Sequence, residues 1–120
     1  MRWPVLLLAL GAAHAAAAAP APGRYQARLC VATSASAPPG CGPAELAIHP
    51  AGRAELRVAD VVYRLHLGPA RLDVETLHGR MQIDQFSAVY EWQGDVLRFV
   101  DTDRQASYEV TVGPRSRSRR

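Results

Sequence analysis

The chain has 120 residues, 48% of them hydrophobic, with nine glycines, nine prolines and two cysteines. Its formal charge of +3 is uneven: Arg115, Arg117, Arg119 and Arg120 crowd the C-terminus, while residues 24–114 hold nine arginines against eleven acidic residues and sum to −2. One domain fits that length, and a mildly acidic body argues against a nucleic-acid-binding surface.

The N-terminus opens with Arg2, a leucine-rich run ending at Leu10, and alanines interrupted by His14. Ala13-His14-Ala15 fits the small-x-small rule of a signal-peptidase site. Spanning a bilayer takes roughly 20 apolar residues, and alanine contributes weakly. The expectation is a signal peptide over residues 1–19, cut between Ala15 and Ala21, with no transmembrane span after cleavage. Residues 20–23 then form a short leader.

Export gives Cys30 and Cys41 their meaning, because an even cysteine count in an oxidising compartment favours a bridge. The residues between them include Ser-Ala-Ser-Ala-Pro-Pro-Gly, with nothing large to pack. A zinc site needs more ligands at closer spacing. A lipoprotein cysteine would directly follow the apolar segment. The pair therefore reads as a disulfide tying a loop to its flanking strands.

Residues 24–113 read as strands, by alternation of apolar and polar side chains. Tyr25, Ala27, Leu29 and Val31 share one face, with Cys30 on the other. Leu46 and Ile48 follow, then a turn at Pro50-Ala51-Gly52, then Leu56 and Val58. Ala59-Asp60 reads as a bend or bulge before Val61, Tyr63, Leu65 and Leu67. After Gly68-Pro69, residues 70–78 suit a strand through Leu72 and Val74; the alternative is a two-turn helix ending before Gly79.

Met81 and Ile83 are odd-numbered, whereas Phe86, Ala88, Tyr90 and Trp92 are even-numbered. That switch predicts a β-bulge near Asp84-Gln85. Gln93-Gly94-Asp95 closes a hairpin onto Leu97 and Phe99. "DTDRQA" is a polar turn, and Tyr108, Val110 and Val112 complete the inner face. Gly113 and Pro114 are expected to end the last strand, leaving 114–120 as a disordered basic tail. The whole predicts an all-β antiparallel barrel or sandwich of about eight short strands, with Tyr25, Tyr63, Phe86, Tyr90, Trp92, Phe99 and Tyr108 facing in.

Catalytic signatures are missing. No Gly-x-Ser-x-Gly elbow surrounds Ser87 or Ser107. His49 and His78 precede turns, and His66 alternates outward. No His-x-x-x-His spacing occurs, and Asp101-x-Asp103 lacks the rest of a calcium loop. No catalytic residue, metal or cofactor is therefore expected. The most polar segment gathers His78, Arg80, Gln82, Asp84 and Gln85, and with Gln93 and Asp95 at the hairpin tip it forms the candidate binding surface.

The chain lacks lysine and asparagine and is rich in alanine and arginine, as a GC-rich bacterial genome would encode. The leading expectation is a periplasmic or secreted, non-enzymatic protein that acts as a binder, adaptor or inhibitor of an envelope protein. The alternative is a lipocalin-like carrier of a small apolar ligand. The terminal arginines, Arg115, Arg117, Arg119 and Arg120, could add weak contact with an anionic surface.

Overall fold

A computed structural model describes residues 19–34 and 38–116. Residues 1–18 of the expected signal segment, residues 35–37 between the cysteines, and Arg117, Arg119 and Arg120 lie outside the described residues. Nine strands follow in order: β1 (Gly23–Ala32), β2 (Gly40–Ile48), β3 (Arg53–Val58), β4 (Val61–Leu67), β5 (Leu72–His78), β6 (Met81–Ala88), β7 (Tyr90–Gln93), β8 (Val96–Asp101) and β9 (Ala106–Arg115).

All pairings are antiparallel, in the order β6-β5-β4-β3-β2-β1-β9-β8-β7. The two edge strands, β6 and β7, are separated by Val89 alone. They form one bent strand whose first half pairs β5 and whose second half pairs β8. That change of partner wraps the sheet into a nearly closed barrel, with Phe86 on β6 lying 6.2 Å from Phe99 on β8. Residues 70–78 contain strand, not helix.

The alternation read from the sequence sets the inner face. Leu56, Leu72, Val74, Leu97 and Val110 are essentially sealed from solvent in the middle of the barrel. Phe99 stacks on Tyr108 at 4.9 Å, and Tyr108 on Phe86 at 5.7 Å. The expected aromatic set all belongs to this core or packs against it.

Four local expectations need correction. Val58 pairs directly with Val61, so Ala59-Asp60 is a tight two-residue hairpin, with Ala59 at φ 52°. The bulge in β6 falls one step earlier than expected: Thr76 pairs with Asp84 and Leu77 with Gln82, so Ile83 is the extra residue. Met81 and Ile83 are not core residues but exposed, at 68% and 54%. Asp101 does not belong to a polar turn; it ends β8 facing inward and is 2% exposed.

Pro114 does not stop β9. Tyr25 pairs with Arg115 and Ala27 with Val112, so Gly113 and Pro114 together oppose Gln26. Such a bulge takes a residue out of the hydrogen-bonding ladder, which is how a strand tolerates a proline without an N–H. The pairing resumes beyond it, where the Ser116 N–H donates to the Arg24 carbonyl at 2.7 Å. The folded domain therefore extends past residue 113.

Cys30 lies directly opposite Cys41 across β1 and β2, with Cα atoms 4.0 Å apart, and the two are joined as a disulfide. Both strands reach the loop they flank, so the bridge pins its base. It sits on the outer side of β1, away from Leu29, as the alternation required.

Candidate functional site

The meander sorts the turns between two ends. One end gathers the leader, the turns at 49–52, 68–71 and 94–95, and the end of β9. The other carries the cysteine loop and the turns at 59–60, 79–80 and 102–105.

The leader end is open. A cavity of about 440 Å³ enters the barrel there, walled by Ile48, Leu65, Leu67, Tyr90, Trp92 and Leu97. These residues come from β2, β4, β7 and β8, each from the apolar phase of its strand. Leu65 and Leu97 belong to the core, and Ile48, Leu67, Tyr90 and Trp92 pack against it while bordering the cavity. The Tyr90 hydroxyl donates to the Gly68 carbonyl at 2.5 Å, so its polar tip is satisfied at the rim.

One wall of this cup is the β2–β3 turn. Ala51 and Gly52 adopt φ values of 63° and 75°. A Cβ on Gly52 would fall 2.4 Å from the Leu67 carbonyl oxygen, so glycine is required there. The Gly52 carbonyl accepts from the Leu67 N–H at 2.7 Å, locking the turn against β4.

The leader runs along the opposite side of the opening, and Ala19, Pro20 and Pro22 contribute to the cup. It is held from below. The Tyr25 hydroxyl donates to the Ala21 carbonyl at 2.5 Å. Arg115 Nη2 donates to the Pro22 carbonyl at 3.1 Å, and the Arg115 guanidinium lies 5.5 Å from the Tyr25 ring centroid. Arg115 is thus a structural clamp between the two chain ends, not part of a free basic tail.

A second cavity, an open groove of about 960 Å³, crosses the outer faces of β3, β4, β5 and β6. Two cross-strand rows line it, Arg53–His66–Asp73 and Glu55–Arg64–Glu75–Gln85. The groove and the cup meet around the β2–β3 turn and share His49, Ala51, Arg53 and Leu65 among their lining residues.

No protein-family model, curated protein or solved structure matches this chain.

The candidate surface read from the sequence does not come together. His78 and Arg80 stand exposed at the β5–β6 turn, at the disulfide end. Gln93 and Asp95 flank the β7–β8 turn at the opposite end. Gln93 is also occupied, donating to Glu91 and accepting from Arg98, both at 2.5 Å. Gln82 bonds Gln85 at 3.2 Å on the outer wall, and Gln85 reaches the groove.

Asp84 departs furthest from the sequence reading. It faces inward on β6 and accepts an ion pair from Arg104. Arg104 Nη1 also lies 3.5 Å from Asp101, whose Oδ2 takes no hydrogen bond. Burial and the neighbouring Tyr63, Asp101 and Asp84 push the Tyr108 hydroxyl up to about 12. Burial, with Asp84 second, also raises Tyr63.

The cup escaped the sequence reading because each of its residues looked like core. The inner face was correctly assigned, but no local pattern distinguishes a side chain packed on all sides from one that also borders a cavity.

Proposed function

We propose that this protein is an exported β-barrel that binds a small apolar ligand in the cup at its leader end, as a carrier and not a catalyst. The observation that carries this reading is the cavity itself. Its volume of about 440 Å³ lies in the range of small-molecule sites, roughly 300–1,000 Å³, and its walls are largely apolar and aromatic. His49 and Arg53 are the basic side chains among its described lining residues. That set offers orientation to a ligand but no nucleophile with an adjacent base. Export is supported by the signal-like N-terminus and by the Cys30–Cys41 bridge, which persists in oxidising compartments.

The test is direct binding of decanol to the full chain, followed by Trp92 fluorescence with Trp92→Phe as the control for signal origin. Saturable binding to the wild type is expected, with at least tenfold weaker binding to Leu67→Trp, which fills the opening. Unchanged affinity in Leu67→Trp, or no saturable binding by folded wild type, would remove the carrier reading.

A second reading, docking of an envelope protein, rests on Met81 and Ile83, which stand exposed on β6 at the barrel seam. Exposed apolar side chains on an edge strand are a recognised docking feature. Replacing both with serine should abolish partner capture from envelope extract if this reading holds, and leave decanol binding untouched.

A further inference from the structure

The cup and the outer groove share lining residues at the β2–β3 turn, and they differ in chemistry. The cup is apolar. The groove is lined by charged side chains, and the two meet at His49 and Arg53. A ligand that filled only the cup would leave that junction unused. A ligand with an apolar chain and a polar head would occupy both.

The sign of the head group follows from what the junction lacks. Deeper in the groove Arg64 sits in register between Glu55 and Glu75. Asp73 accepts the Ser87 hydroxyl at 2.5 Å. Nearer the cup the pattern changes: Arg53 stands opposite His66, and His49 lies one turn away. No ion pair of Arg53 or His49 occurs among the described residues. Both side chains are exposed, so holding an anion costs little backbone or core rearrangement. The β2–β3 turn that carries them is fixed by Gly52 and its bond to Leu67, so both side chains are rooted in a held backbone at the cup's rim.

We infer that the ligand class is a single-chain amphiphile with an anionic head: the chain enters the cup beside Trp92, and the head rests between Arg53 and His49. This rests on the carrier reading and specifies its ligand. Arg53 supplies the fixed charge, and its fork-shaped guanidinium matches a carboxylate or phosphate head. His49 adds a second donor. Trp92 and Leu67 fix the chain.

The experiment compares three probes of one chain length, decanoate, decanol and decyltrimethylammonium, on the full chain by calorimetry. Decanoate should bind roughly tenfold tighter than decanol, and the cation weakest, as expected for one charge-assisted contact. Arg53→Gln should bring decanoate down to the level of decanol. Arg98→Gln, which removes an arginine already paired with Glu109 at 2.8 Å on the far wall, should leave the ranking intact. Equal affinity for the three probes, or an Arg53→Gln variant that keeps the preference, overturns the head-group assignment while the cup stands. Failure of all three probes to bind folded protein overturns the cup, and the assignment with it.

Discussion

Arg104 and Asp84 close the seam of the barrel at its disulfide end. Asp84 projects inward from β6 and Arg104 reaches it from the β8–β9 turn, where the two edges have parted and no strand pairing joins them. The same guanidinium nitrogen is the cation nearest Asp101, a carboxylate 2% exposed. Two acids therefore share one arginine. The ion pair with Asp84 raises the Arg104 pKa further, so the cation is permanent.

A buried carboxylate left without its cation destabilises more than the loss of both partners. Arg104→Ala should therefore lower stability more than Asp101→Asn does. The double variant should be more stable than Arg104→Ala alone. Chemical denaturation of the four proteins in the cycle measures this, and a purely additive result would mean the pair is uncoupled.

Stability at high pH follows from Tyr108. Its folded pKa of about 12 lies above the ordinary value of 10.0, so the folded state holds the proton more tightly. Its contribution is full below about pH 10 and is lost as pH rises towards 12. The stability of wild type should fall across that window by more than that of Tyr108→Phe, measured by urea midpoints at each pH. Because the side chain is half-buried, solvent screening makes the loss smaller than the full shift implies.

Core and surface leucine-like residues on neighbouring strands should behave in opposite ways. Leu72 is 0% exposed and Met81 is 68% exposed. Leu72→Ala should cost about 2–5 kcal/mol through lost burial and the cavity left behind. Met81→Ala should change stability by less than about 0.5 kcal/mol. Equal effects in urea titrations would mean that Met81 on β6 is packed and not exposed.

Removing the bridge with Cys30→Ser and Cys41→Ser should cost about 3 kcal/mol, the chain-entropy value for a short loop. The urea m-value should rise, because the uncrosslinked unfolded chain exposes more surface. The barrel should remain, since Leu29, Leu46 and Val110 pack without the bridge. Loss of the β signature in circular dichroism would show that the staple is a condition of folding.

Gly52→Ala should weaken the cup's rim specifically. The added Cβ would displace either the turn or the Leu67 carbonyl, and the left-handed φ adds strain. Amide exchange at Leu67, which donates to Gly52, should accelerate ahead of exchange at Leu56 and Val74 in the barrel's middle. Uniform acceleration at all three would show that the turn cannot yield without the whole barrel.

Much of this molecule was legible along the chain because strand periodicity is local. Alternation placed Tyr25, Leu29, Tyr63, Leu65, Phe99 and Val110 inward and sent His66 outward; turn signals put His49 and His78 at strand ends, and an even cysteine count paired Cys30 with Cys41. It also announced a bulge within β6, because a phase change must be absorbed by an extra residue.

What alternation could not report was closure. Whether β6 and β7 would act as one strand with two partners depends on how far the whole sheet twists, a sum over every pairing in it. That closure gave Asp84 its inward place and brought Arg104 and Asp101 to it. At the leader end Ile48, Leu67 and Trp92 border a cavity, while Leu72 and Val74 are fully buried at their level. A side chain's direction is written in its own strand; whether anything meets it there is decided by strands distant in sequence.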